Sequence, residues 1–374
     1  MRLAAPPTPW TEAGPRVERL EVSAYAIPTE APESDGTLEW DRTTLVLVEV
    51  AGGGQSGLGY TYADAAAASL IRGRLAELAV GTDAFAVAGT GAALRRSLRN
   101  LGTSGIAATA LSAVDNALWD LKARLLGVSL AELLGPLRAA VPVYGSGGFT
   151  SLSLDRLCAQ LAGWVGEGIP RVKLKVGRRP EQDLERVAAA RAAIGGEAEL
   201  FVDANGAYRR KQALEFAAGF DHFGVRWFEE PVPSNDLEGL RLLRDRGPAG
   251  MSIVAGEYGF EPADFRRLLT AGAVDVLQAD ATRCGGITGF LKAAALAEAF
   301  AIPLSSHGAP ALHRHAACAA PGFTVLEYFH DHARIEELLF EGAGRPAGGM
   351  LAPAPGEPGL GLLFRRADAA PYAL

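Results

Sequence analysis

Eight short apolar runs in this sequence close on polar residues, nearly every one ionisable: Ser146, Lys173 with Lys175, Asp203 with Asn205, Glu229 with Glu230, Glu257, Asp280, His307 and Glu327. Asp203, Glu229 and Glu257 close three consecutive runs. Three carboxylates brought together repel strongly unless a cation neutralises them. An all-oxygen donor set favours a hard ion, one Mg2+ with Mn2+ as a substitute, over zinc. The competing reading, three separate surface salt bridges, fits the consecutive placement less well. Lys173 and Lys175 stand i, i+2 and so share one side of a strand. Two amines on one face oppose each other's protonation, so one can have a lowered pKa and serve as a base. Alternatively, the pair simply offsets an acidic mouth. Asp280 and His307 close neighbouring runs, and a carboxylate beside an imidazole fixes its tautomer and raises its basicity. Glu327 is a hydrogen-bond donor if protonated, or else a carboxylate at a helix N-terminus. Glu230 points away from Glu229 and is expected to support rather than ligate. His313 with His315, and His330 with His332, repeat an i, i+2 spacing. Scattered solvated histidines are expected there rather than a second metal site.

The elements that position these residues follow from the runs themselves: VPVYGS, VKLKVG, LFVDAN, VRWFEE, SIVAGE, VLQADAT, IPLSSH and FTVLEY. A helical stretch follows each of the first seven, and the run ends recur at roughly 20 to 30 residues, about one βα unit. Eight near-continuous apolar strands imply an α/β fold with a closed parallel barrel, whose active site lies at the carboxyl ends of its strands. An open doubly wound sheet is the competitor. The count of eight, and the lack of a Gly-rich phosphate loop after the first strand, weigh against it. Upstream, Val17–Ile27, Thr43–Val50 and Gly57–Thr61 read as a three-stranded meander, with a Pro/Glu/Gly-rich stretch, Pro28–Asp35, after the first strand. Helices are expected over 65–80, 85–99 and 105–126. The division is residues 1–136 as an α+β cap, 137–343 as the barrel, and 344–374 as a Pro/Gly-rich segment returning to the cap.

The chain has 374 residues, is 49% hydrophobic and carries a net charge of −7. That balance argues against nucleic acid as a partner, since phosphate recognition needs a basic footprint. No apolar stretch reaches about 18 residues, so no membrane partner is expected. Cys158, Cys284 and Cys318 are too scattered for a disulfide framework and read as core residues of a protein in a reducing compartment. The first residues lack an apolar leader core, so the cytoplasm is the expected location.

Taken together, the motifs resemble the enolase superfamily, specifically its mandelate racemase subgroup, over nearly the whole chain. That resemblance implies a modified TIM (β/α)7β barrel under an N-terminal α+β capping domain. It implies Lys175 of VKLKVG as a base with Lys173 as its pKa-modifying neighbour. Asp203 of FVDANGAY, Glu229 of WFEEPV and Glu257 of VAGEYGF become the Mg2+ ligands, with Asn205 facing the site. QADATRCGGITG brings Asp280, partner of His307, and the double glycine Gly285–Gly286. Glu327 of VLEYF becomes the group that hydrogen-bonds a substrate carboxylate. Muconate-cycloisomerase and dipeptide-epimerase relatives carry a lysine where this chain has Asp280, which sets those subgroups aside. GLGYTY, residues 57–62, departs from a Gly-x-Gly-Glu pattern and concerns the cap rather than the chemistry.

The implied activity is Mg2+-dependent removal of the proton alpha to a carboxylate through an enediolate. Its main form is dehydration of an acid sugar, a small-molecule carboxylate, to a 2-keto-3-deoxy acid. Racemisation, epimerisation or cycloisomerisation of a 2-hydroxy or sugar acid is the alternative, and a catalytically silent metal-binding relative a minor one. A metal-dependent hydrolase would show His-x-His on the first strand, which VPVYGS lacks. Substrate contacts are expected at Asn205, Ser146 and Trp40. The family's screening loop corresponds to Pro28–Trp40, where Glu30, Glu33 and Asp35 suggest hydroxyl recognition. Arg209 and Arg210 are either ligands for a second carboxylate or solvated. The family's habit implies a homo-oligomer, from dimer to octamer.

Overall fold

The computed structural model describes residues 14–374, so most of the segment read for a leader lies outside it. The first sheet is antiparallel, with β1 (Arg19–Ser34), β2 (Glu39–Gly52) and β3 (Gln55–Tyr62) in that order. β1 runs on past Ile27, where the sequence pattern ended it. A register shift between Pro28 and Glu33 absorbs the irregular stretch. Pro28 lacks a donor, and an edge strand with a bulge is where a sheet tolerates it. The expected loop is therefore a long hairpin closed by a tight turn, in which Asp35 Oδ1 accepts from the N–H of Thr37 (2.6 Å) and Leu38 (2.7 Å).

Helical residues then run from Ala66 to Ala79 through a π turn at Ile71–Leu75, followed by helices Val87–Ser97 and Ile106–Leu125. The last lies directly on β3. A Cβ at Gly59 would stand 2.3 Å from the backbone N of Ala117, so the glycine is what lets helix and strand backbones touch.

The eight runs form β4 (Val141–Gly147), β5 (Arg171–Lys175), β6 (Glu199–Asp203), β7 (Val225–Glu229), β8 (Ser252–Ala255), β9 (Val276–Ala279), β10 (Leu304–Ser306) and β11 (Phe323–Phe329). Each pairs parallel with the next, and β11 pairs with β4 to close the barrel under the cap, as expected. Tyr144, Phe201, Trp227, Val254, Val276 and Val325 form one buried cluster from alternate strand positions. A helix also follows the eighth strand, His330–Leu339, and its polar side chains turn to the cap. Tyr60 Oη donates to Glu336 Oε1 (2.6 Å), and Arg334 donates to the carbonyl of Pro28 (2.8 Å). The C-terminal residues first pair with β4 through Met350–Leu351, and Leu374 N–H then reaches the carbonyl of Ala24 (3.0 Å).

Cap and barrel are joined at the start of helix Gly286–Ala299, whose first N–H groups have no partner within the helix. Side chains from cap helix Ile106–Leu125 accept them: Ser112 Oγ from Gly285 N (2.8 Å), Asn116 Oδ1 from Ile287 N (2.9 Å) and Asp115 Oδ1 from Thr288 N (3.0 Å). Gly286 has φ +76° there, and a Cβ on it would lie 2.2 Å from Asp115 Oδ1. Gly286→Ala should combine left-handed strain with loss of capping, a destabilisation of about 2–4 kcal/mol. Urea unfolding will show it as a lower midpoint, and an unchanged midpoint would mean the junction tolerates a side chain.

Candidate active site

Parallel register sets the site. Lys175 of β5 pairs with Asp203 of β6, and Asp203 with Glu229 of β7, so three charged residues leave adjacent strands at one level. Asp280 and His307 follow directly after β9 and β10, and Glu257 one residue beyond the end of β8. Asp203, Glu229, Glu230, Glu257, Asp280 and Glu327 are each no more than 2% exposed. Burial of this kind is tolerated only with counter-charges and hydrogen bonds in place.

Those counter-charges are specific. Lys173 Nζ lies 2.6 Å from Glu229 Oε1, 2.9 Å from Glu327 Oε1 and 3.3 Å from Asp203 Oδ2, and Lys175 Nζ lies 2.6 Å from Asp203 Oδ2. His307 spans two acids, with Nδ1 2.8 Å from Asp280 Oδ2 and Nε2 2.7 Å from Glu257 Oε2. Asp280 is itself anchored, accepting from Thr282 N (2.6 Å) and Thr282 Oγ1 (2.7 Å).

Of the two readings left open for the lysines, their contacts favour amines that offset an acidic mouth. Burial pulls both amines down, but the carboxylates against them outweigh it and hold both above their ordinary value. Mutual repulsion between the two is the smaller effect, because each has an acid of its own. Burial likewise opposes charge on His307, yet Glu257 and Asp280 lift it to about 10. Glu327 is pushed up by burial but held below the usual range by Lys173 and His307. It accepts from Ser146 Oγ (2.6 Å) and Gly308 N (2.8 Å), the carboxylate side of the two readings left open for it. Ser146, expected at the substrate, is fully buried beneath Glu327 instead.

Among the described residues, no three His, Cys, Asp or Glu side chains stand in metal-holding geometry, since ammonium and imidazole groups lie between the carboxylates. The donor set nonetheless suits a hard cation. Glu230 Oε1 and Asn205 Oδ1 are buried with no hydrogen-bond partner, and Glu257 Oε2 has none beyond its close approach to His307. Burial pushes Glu229 up to about 8. Burial and then Glu257 drive Glu230 well above its ordinary value. Added positive charge would relieve all of these.

Above the acids opens a cavity of about 660 Å³, which Lys175, Asn205, Glu257, His307 and Trp40 line as expected. Trp40 Nε1 donates to Glu33 Oε2 (3.0 Å). Glu33 is buried and held by Trp40, whereas Asp35, which fixes its own turn through Oδ1, also lines the cavity. Arg210 is bound by Asp236 on the surface.

Sequence reasoning missed Arg283, Tyr62 and His332, which also line the cavity. Arg283 Nε lies 3.4 Å from Asp280 Oδ2 and its guanidinium 5.4 Å from the Tyr258 ring centre. Its place three residues after a strand-closing acid was the available signal. The expectation of solvated histidines fails for three of four, since His313, His315 and His332 are buried in packed helices, while His330 keeps 26% of its side chain exposed. His313 Nε2 accepts from Ala281 N (2.8 Å), tying the stretch after Asp280 in place.

Two family models match. Residues 24–135 fit the mandelate racemase / muconate lactonizing enzyme N-terminal domain, and residues 156–368 the enolase C-terminal domain-like family. The chain belongs to the enolase superfamily, in its mandelate racemase subgroup. It is 33% identical over 330 residues to the L-talarate/galactarate dehydratase of Salmonella typhimurium, covering 85% of this chain and 82% of that one. It is also 33% identical over 360 residues to the 3,6-anhydro-alpha-L-galactonate cycloisomerase of Streptomyces coelicolor, covering 93% and 97%. A mandelate racemase/muconate lactonizing enzyme-like protein from Rubrobacter xylanophilus superposes with TM-score 0.94 at 57% identity, over 96% of this chain and all of that one. The chain is an enzyme whose relatives are lyases, the acid-sugar dehydratases, and isomerases. Solved relatives hold magnesium, among them a Streptomyces coelicolor racemase with TM-score 0.90 at 31% identity, covering 96% of this chain and all of that one. Among the described residues no helix is long and apolar enough to cross a membrane.

Three successive stations fix the stretch after His307: Glu327 takes Gly308 N, His332 Nδ1 takes Ala309 N (3.1 Å), and Glu336 Oε2 takes Ala311 N (2.9 Å). Tyr60, in the departing GLGYTY motif, grips Glu336, so that motif reaches the chemistry after all. Burial raises Glu336 to about 7 against its hydrogen bonds from Tyr60 and Ala311. A carboxyl that binds its proton more tightly folded than unfolded adds stability below about pH 4.5 and loses it as pH rises toward 7. Glu336→Gln should flatten that part of the profile, and urea midpoints of both proteins between pH 5 and 8 check it. Parallel curves would refute the assignment.

Proposed function

We propose that this enzyme removes the proton alpha to the carboxylate of an acid sugar and eliminates water to give a 2-keto-3-deoxy acid. The observation that supports this most is one cavity lined by both Lys175 and the Asp280-bound His307, proton carriers from strands on different sides of the barrel. Asp203, Glu229 and Glu257 would hold one Mg2+, which supplies positive charge for the substrate carboxylate and for the charge that develops on it. Lys175, once free of Asp203 and in its neutral form, takes the proton from C2 at Nζ. The C–H electron pair moves toward the carboxylate and then forms the C2–C3 double bond as hydroxide leaves C3. His307 gives its Nε2 proton to that hydroxide, making water, and the remaining enol becomes the ketone. Asp280 keeps the imidazole oriented throughout, and the cap hairpin with Trp40 limits water above the site.

Isomerisation is the second reading, favoured by the cycloisomerase relative that matches 93% of this chain. In its epimerising form the C3 hydroxyl stays, and His307 gives its Nε2 proton to C2 on the face opposite Lys175.

With Mg2+ in D2O and a panel including galactarate, gluconate and arabinonate, keto-acid is expected to form. Solvent deuterium appearing in recovered substrate without keto-acid would move the reaction to the isomerases, and neither signal from any acid would sink the proposal. On the acid that reacts, Lys175→Ala and His307→Asn should each lower kcat/KM about 10²–10⁴-fold. Separately, Mg2+ at 100 times its Kd should stabilise the fold by about 2.7 kcal/mol. Asp203→Asn should lose that response in a thermal melt, and a variant that keeps it would remove Asp203 from the metal site.

A further inference from the structure

His332 is a buried titratable group that the proton-transfer steps leave unused. It sits in helix His330–Leu339, just after β11, and is 6% exposed. Its ring lies flat on Tyr62 of β3, with centroids 3.5 Å apart and planes within 6°, and Phe329 meets it edge-on at 4.9 Å. Tyr62 Oη also reaches the His332 carbonyl (3.4 Å). Because Ala309 N–H donates to Nδ1, that nitrogen must hold a lone pair, and a neutral ring then carries its proton on Nε2. Burial and the nearby charge of His307 keep the ring neutral, its pKa down at about 3. His332 is therefore neither a base nor, through Nδ1, a metal ligand.

What remains is a single N–H with a fixed direction. Among the described residues Nε2 has no protein acceptor, and the ring lines the same cavity as Lys175, Asn205, Glu257 and His307. A donor held rigid on three sides and left open to a cavity is complementary to an oxygen that arrives with a ligand. Its ring centre is 6.4 Å from that of His307, so an oxygen on Nε2 would belong to a part of the ligand near His307.

We infer that His332 is a specificity-determining residue whose Nε2–H donates to a distal hydroxyl of the substrate, so that polyhydroxy acids are preferred over short 2-hydroxy acids. This rests on the acid-sugar reading above. The rival explanation is that His332 only secures the backbone after His307 through Nδ1.

Two substitutions separate the roles. In His332→Asn, Oδ1 can take over the Nδ1 bond to Ala309, but nothing reaches the Nε2 position. In His332→Gln, the amide can reach the Nε2 position, but the acceptor for Ala309 is lost. With Mg2+ present, titrate galactarate, gluconate and glycolate, the last having no distal hydroxyl, into wild type and both variants, and record melting temperatures. His332→Asn should lose about tenfold in affinity for whichever polyol acid wild type binds, keep its glycolate affinity, and melt like wild type, while His332→Gln recovers polyol binding. The reverse ranking, or equal losses for glycolate and the polyol acids, would overturn the inference in favour of the backbone role. Wild type binding glycolate as well as the polyol acids would overturn it while leaving the proton-abstraction chemistry standing. Wild type binding none of the three would bring down the acid-sugar reading and this inference together.

Discussion

Six carboxylates meet at one end of the barrel, nearly sealed from water, and four cationic side chains reach in among them: Lys173, Lys175, His307 and Arg283. Charges stripped of solvent hold a structure together only if each has a partner, and removing one partner leaves the other stranded. This balance dictates where the other parts lie. It explains why Asp280 needs both Thr282 donors, why Ser146 spends its hydroxyl on Glu327, and why two lysines share one strand face without neutralising each other. Burial, with neighbouring acids adding to it, leaves Glu229 and Glu230 reluctant to ionise, which is the condition a dication would correct.

Much of this was legible in the sequence because barrel strands simplify the problem. A strand buried on both faces is a short apolar run, and the first residue after it that can meet water or a ligand ends the run. Lys175, Asp203, Glu229, Glu257, Asp280 and His307 could be placed from that rule alone, and the structure gathers them at one mouth. Pairings between elements distant in the chain could not. The lysine charge state depends on which acid each amine meets, a matter of strand register. Ser146 lies at a strand end and yet below the cavity, because Glu327 intervenes. His313, His315 and His332 have the spacing of a solvated helix face, but their helices are packed on more than one side. β1 outran its apolar pattern because a bulge lets irregular residues remain in a sheet.

The cap contributes more than a cover. Tyr60 and Tyr62, alternate residues of β3, each address the helix after β11, one through Glu336 and the other through His332. Both partners then grip the backbone that follows His307. Tyr60 comes from the cap and the carboxylate it meets, Glu336, from the barrel, so one hydrogen bond ties the two domains together.

The junction at Gly285–Thr288 bears on how such enzymes diversify. Swapping caps between barrels is an apparent shortcut to new substrates, since the cap closes over the cavity. Here, however, the cap helix supplies the hydrogen-bond acceptors for a barrel helix that begins a few residues after Asp280 and Arg283. A foreign cap without counterparts of Ser112, Asp115 and Asn116 would leave that helix start unsatisfied and loosen the segment that orients His307. Trp40, by contrast, lines the cavity from the cap hairpin and takes no part in that junction.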